Sequence, residues 1–159
     1  MGIQTDIGIN GGSAEQVVVL LNGVNITSPH TGHLAFELPV SADDIERIEI
    51  VEGSTSQIGG ASAFSGAVNI ITRQARGDEV QAQASGGSYG TFGADGRLSL
   101  HAGGVGSFLS AGWQQSDGGT VNSDFSRGNV YYSGYYEHPV ARLNWQAGMN
   151  TKDYGANTF

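Results

Sequence analysis

From Gly77 onward the sequence alternates with a period of two through runs of about ten residues, and this regularity restricts the possible folds more than any other feature. Phe92, Ala94, Gly96, Leu98 and Leu100 alternate with Gly93, Asp95, Arg97, Ser99 and His101. Val105, Ser107, Leu109, Ala111 and Trp113 alternate with Gly106, Phe108, Ser110, Gly112 and Gln114. Ala141, Leu143, Trp145, Ala147 and Met149 alternate with Arg142, Asn144, Gln146, Gly148 and Asn150. Successive side chains of a strand point to opposite sides, so each run has one apolar and one polar face. Five strands are expected, at about 79–88, 92–101, 105–115, 129–138 and 141–151. His101–Gly104 and Glu137–Pro139 supply tight turns, whereas Ser116–Gly128 reads as a longer polar loop.

Two architectures share this period: a soluble antiparallel sheet with one wet face, and a membrane β-barrel. Strand length favours the barrel, because ten tilted residues cross hydrocarbon while ordinary strands run to five or six. Alternating short and long connections and aromatic residues near strand ends point the same way. On that reading Tyr132 and Tyr136 join an interfacial belt and Tyr131 and Tyr135 face the lumen, with sugar stacking as the rival use. No apolar run reaches the 18 residues of a helical span. Met1-Gly2-Ile3-Gln4 lacks the basic start and apolar stretch of a secretory signal.

Aromatic residues divide the chain. Only Phe36 and Phe64 precede Gly77; both Trp, all six Tyr and the other four Phe follow it. A boundary is therefore expected at Ala75–Asp78, giving domains 1–76 and 77–159. With 26 Gly but 3 Pro in 159 residues, the composition suits a turn-rich β protein. The net charge of −8 divides as −5 over 1–76 and −3 over 77–159, leaving no basic stripe for nucleic acid. The absence of Cys excludes disulfides, thiolate catalysis and Cys-based metal sites.

Before the boundary, Gln16–Leu21 is apolar on both faces and ends at Asn22-Gly23, as a buried central strand closing a hairpin would. Residues 27–36 form a loop, and Ser41 after Pro39 is placed to cap a short helical turn with Asp43 and Asp44 in its first turn. In the strand Ile45–Gly53, Ile48 and Ile50 share one face and Arg47 and Glu49 the other, so the isoleucines are expected to close a small core. Val68–Thr72 reads as a further internal strand.

Candidate chemistry is sparse. His30 and His33 are not distinctively spaced for a metal and suit a loop tip better. Asp43, Asp44, Glu46, Glu49 and Glu52 read as a solvated charged face rather than a catalytic pair. The glycines of GGSAE and GGASAFSG lack the endings of phosphate loops. No catalytic residue, metal or cofactor is expected.

The segments SAEQVVVLLNGVNI, SPHTGHLAFELPV, DDIERIEIVEG and SAFSGAVNIITR, in that order and spacing, resemble the second half of the plug of TonB-dependent outer-membrane receptors. The likeness is to the cobalamin- and siderophore-receptor-like members of Bacteroidetes type. GSYGTF, the QQSDGG segment and KDYGANTF are similar to the start of their barrel. The resemblance implies a mainly β fold: part of a plug domain, a small mixed α+β sheet, followed by about five antiparallel strands of an incomplete transmembrane barrel. It further implies import of a scarce ligand such as a metal chelate or corrinoid, with outer-membrane lipid and the TonB complex as partners. Thr27, Ser28, His30, Thr31 and His33 would face ligand. Arg47, Glu49 and Glu52 would meet barrel charges such as Arg97 or Arg142. Asn10, Ser54 and Gln57 depart from the residues usual at their positions, so no anchoring arginine is carried over there. A TonB box and the remaining barrel strands are not found, and the chain is expected to be a piece of a longer receptor. The alternative from the pattern alone is a soluble β-sheet binding or adhesion module.

Overall fold

Five consecutive apolar residues, Val17–Leu21, form β1, and all five are buried. Hydrophobic on both faces, such a strand is stable only inside a sheet. It lies there, between β2 (Val24–Asn25) and β4 (Gly66–Thr72), with β3 (Ile45–Glu52) beyond β4. The computed structural model describes residues 9, 11, 16–26, 38–53 and 65–155. Among them the chain divides into two compact units, one built from residues up to Glu37 together with Ile45–Thr72, the other from Leu38–Asp44 with Arg73–Phe159.

In the first unit, Asn22 and Gly23 both adopt positive φ, 51° and 82°. That is the backbone of a two-residue hairpin turn whose twist matches the strands, and Asn-Gly is the dipeptide best suited to it. Leu21 then pairs with Val24. The Asn22 side chain also holds the end of β4: its Nδ2 donates to Thr72 Oγ1 at 2.9 Å and its Oδ1 accepts from Thr72 N at 2.9 Å. β1 and β4 run parallel, from Val17 opposite Gly66 to Leu21 opposite Ile70, and β3 pairs antiparallel with β4. Val18, Leu20 and Ala67 form the buried cluster on one side.

Ile48 and Ile50 correct the sequence expectation. They stand 56% and 62% exposed rather than closing the core. β3 is the edge strand, and the buried positions on that face belong to their cross-strand partners Ile70 and Val68, one strand further in.

The second unit is an antiparallel meander of β5 (Glu79–Gly86), β6 (Phe92–Ala102), β7 (Val105–Ser116), β8 (Phe125–His138) and β9 (Ala141–Tyr154). Gly103 and Gly104, at φ 58° and 81°, make the tight β6–β7 turn. β8 begins at Phe125, four residues before the expected start, because Phe125–Gly128 continue the ladder opposite Ser116–Trp113 despite their polar composition. Backbone pairing is indifferent to side-chain polarity on a wet face, so only 117–124 remain as loop.

The two faces of this sheet differ as the alternation requires. Leu100, Leu109, Trp113, Val130, Tyr132, Tyr136, Leu143 and Met149 are exposed on one side. In register, Val80, Leu98, Leu109, Tyr132 and Ala147 form a single row across all five strands. The opposite side buries Ser99, Phe108, Ser110, Tyr131 and Tyr135. Among the described residues no helix is long and apolar enough to cross a membrane, a statement that does not bear on strands.

Candidate functional site

A carboxylate is expensive to bury unless several donors surround it. Asp44 is fully buried, contrary to the solvated face expected from its acidic neighbours. It ends a 3₁₀ turn, Ala42–Asp44, lying on the polar face of the second-unit sheet. Its Oδ1 accepts from Arg97 Nε at 2.7 Å, and its Oδ2 accepts from Ser110 Oγ at 2.7 Å and from the Ser41 amide at 3.0 Å. Arg97 on β6 and Ser110 on β7 are direct cross-strand partners, so one carboxylate bridges one rung of the ladder.

The turn is the one read from the sequence, but its cap runs in reverse. Asp44 receives the amide of Ser41, while the Ser41 hydroxyl donates to Asp95 Oδ1 at 3.1 Å. Gly112 leaves room for this convergence: a Cβ there would lie 2.5 Å from Asp95 Oδ1 and 2.9 Å from Asn129 Oδ1. Arg97 also reaches Gln81 Oε1 at 3.1 Å through Nη1, and its Nη2 stands 3.0 Å from Asp43 Oδ2. The last contact is an ion pair without hydrogen-bond alignment. With Asp43 60% exposed, it contributes little beside the pair with Asp44.

A second strap crosses the same face between β4 and β5. Arg73 donates through its amide to Asp44 O at 2.8 Å and through Nε to Asp43 O at 2.9 Å. Beyond it, Gln74 Oε1 accepts from Arg142 Nη2 at 2.7 Å, Ala75 O from the Tyr135 hydroxyl at 2.8 Å, and Gly77 O from Ser99 Oγ at 2.9 Å. The Arg142 guanidinium stacks 4.2 Å from the Tyr135 ring centroid. That ring covers Gly106, where an added Cβ would fall within it. Gly106→Val should therefore displace Tyr135, break its bond to Ala75, and destabilise the protein by about 1–3 kcal/mol in thermal or urea unfolding. Tyr131 and Tyr135 are buried, and Tyr132 and Tyr136 are exposed on the other face, as the strand period indicated.

The remaining residues singled out from the sequence are placed as follows. Arg47 donates to Glu49 Oε1 at 2.8 Å and lies 3.7 Å from Glu46 Oε1, and Asn69 Nδ2 donates to Glu49 Oε2 at 3.0 Å, all within the first unit. Glu52 is exposed at the end of β3. Thr27, Ser28, His30, Thr31 and His33 lie outside the described residues, as do Asn10, Ser54 and Gln57. Sequence reasoning missed Asp44 because a buried acid and a solvated one look alike in a charged stretch. The available signal was Arg97, a lone cation in the middle of an otherwise nearly neutral strand.

The Arg47 guanidinium and then the Asn69 amide hold the Glu49 carboxyl below its ordinary value of 4.5. A depressed carboxylate contributes stability above its unfolded pKa and loses it as pH falls through the folded value. The contribution of Glu49 should thus be intact at neutral pH and fade only in acid below 4.5. Glu49→Gln should flatten that limb of the stability profile by removing the contribution at neutral pH, so that the variant unfolds slightly earlier than the parent at about pH 7 and the two converge in acid, as a pH series of unfolding midpoints would record.

An antiparallel sheet of long strands, apolar on one side and crossed on its polar side by two straps of its own unit, is the arrangement of an outer-membrane β-barrel wall. Residues 1–67 match the TonB-dependent Receptor Plug Domain family. Over 114 residues, or 70% of this chain, the sequence is 35% identical to the vitamin B12 transporter BtuB of Photobacterium profundum, of which it spans 18%. The fold matches the pyoverdine outer membrane receptor FpvA from Pseudomonas aeruginosa with a TM-score of 0.74 at 16% identity, covering 95% of this chain and 23% of that one. It matches the siderophore receptor PiuA from Acinetobacter baumannii with a TM-score of 0.68 at 18% identity, covering 92% and 21%. The chain belongs to the TonB-dependent receptors of the Gram-negative outer membrane. It spans less than a quarter of each of these proteins.

Proposed function

We propose that this chain forms part of the plug and the first barrel strands of a receptor that imports a scarce nutrient, a corrinoid or metal chelate, with energy delivered by the TonB complex. The observation that carries the reading is the two-faced sheet, whose apolar row suits lipid while its polar side is crossed by the straps Leu38–Asp44 and 73–77. The 35% identity to a vitamin B12 transporter favours a corrinoid as the first ligand to test. The receptor acts as a carrier, not a catalyst. Thr27, Ser28, His30, Thr31 and His33 face arriving ligand, and Arg47, Glu49 and Glu52 present charge to the barrel lumen.

The test is uptake of radiolabelled cyanocobalamin by Gram-negative cells that lack their own corrinoid receptor and express the full receptor containing this chain. Uptake should exceed background, require TonB, and fall when His30 and His33 are both replaced by Ala. Uptake of a ferric siderophore in its place would retain the transport reading and reject the corrinoid.

A further inference from the structure

We propose that Leu38–Asp44 is mechanically part of the barrel wall, and that Asp44 is the positioning residue that keeps it there while the first-unit sheet rearranges during transport. The proposal rests on the transport reading above. Sequence continuity would assign this segment to the plug, since residues on both sides of it belong to the first unit. Its contacts assign it to the second. Val40 is buried, Pro39 fills the space over Gly148, and Asn129 Nδ2 donates to the Ser41 hydroxyl at 3.4 Å.

The chemistry is unequal along the chain. Asp44 binds a cross-strand pair from two wall strands and is fully buried, so the segment cannot lift away without leaving Arg97 deprived of its counter-ion. Where the chain returns, Arg73 is bonded to the carbonyls of both Asp43 and Asp44, and the second strap follows at once. β3 therefore begins, and β4 ends, at two neighbouring wall-held points. Parts of a protein with different local stabilities open separately, and the less stable part moves first. The expected boundary of motion lies at Asp44/Ile45 and Thr72/Arg73, not at the sequence boundary between plug and barrel.

Two measurements on the full receptor test this, the first in cells and the second in lipid vesicles free of any ligand. This chain contains no Cys, so single thiols can be introduced into it. In the first, Ser41→Cys is combined with Asn129→Cys, whose parent side chains touch at 3.4 Å and which leave Asp44 in place, and oxidised: cyanocobalamin uptake in cells should match that of the reduced form. Loss of uptake on oxidation, restored by reductant, would show that the segment must move and would overturn the proposal. In the second, the urea dependence of maleimide labelling is compared for Val19→Cys and Val40→Cys. Val40→Cys should become reactive at a midpoint about 1 M higher, and Asp44→Asn should abolish the difference. Equal midpoints in the parent receptor, or a difference that survives Asp44→Asn, would refute the role of Asp44. If the parent receptor imports no cyanocobalamin, the corrinoid reading fails and the labelling comparison alone decides the anchor.

Discussion

Asp44→Ala should destabilise the assembled receptor by about 3–5 kcal/mol, whereas Asp43→Ala, one residue away, should cost about 0–1 kcal/mol. Both carboxylates approach Arg97, at 2.7 Å and 3.0 Å, so distance does not separate them. Burial does. Asp44 is fully buried and Arg97 retains 14% of its side-chain exposure, so removing the acid strands a guanidinium in a dry site, while Asp43 is wet and water replaces it. Arg97→Met combined with Asp44→Leu should recover much of the loss, since apolar residues of similar volume can replace a buried pair. Urea unfolding of the parent, Asp44→Leu, Arg97→Met and the combined variant forms a double-mutant cycle, and a coupling energy near zero would remove the basis for treating this pair as an anchor.

The second large effect concerns the opposite face. Leu109→Arg should cost about 2–4 kcal/mol of folding stability in lipid, the range for a cation near the bilayer midplane. Leu109 sits mid-strand in β7, in the row shared with Val80, Leu98, Tyr132 and Ala147. It is already 42% exposed in the chain alone, so in a water-soluble sheet an arginine there would be almost harmless. Gln114→Arg, on the polar face of the same strand, should be tolerated in lipid. Folding into vesicles followed by electrophoretic mobility shift distinguishes them, and equal tolerance of both substitutions would contradict the assignment of the apolar face to hydrocarbon.

Legibility followed the physics of each element. The five-strand meander was readable because alternation is a local property: every residue reports its own face, and the glycine turns report the connections. The Asn22-Gly23 hairpin was readable for the same reason, since positive φ is a demand placed on two adjacent residues. Ile48 and Ile50 were misread because alternation shows which residues share a face but not whether a neighbour covers it, and β3 proved to be an edge. Asp44 was misread because its donors, Arg97 and Ser110, lie 53 and 66 positions away.

By itself, then, the sequence determined the strands, the hairpin turns and the sidedness of the long sheet, because backbone geometry converts residue spacing directly into direction. Tertiary structure alone decided that Leu38–Asp44 belongs to the wall, that Asp44 is buried with a cation and a hydroxyl from adjacent strands, and that β3 remains an edge. These depend on contacts between distant segments, where the same carboxylate is solvated or buried according to what folds over it.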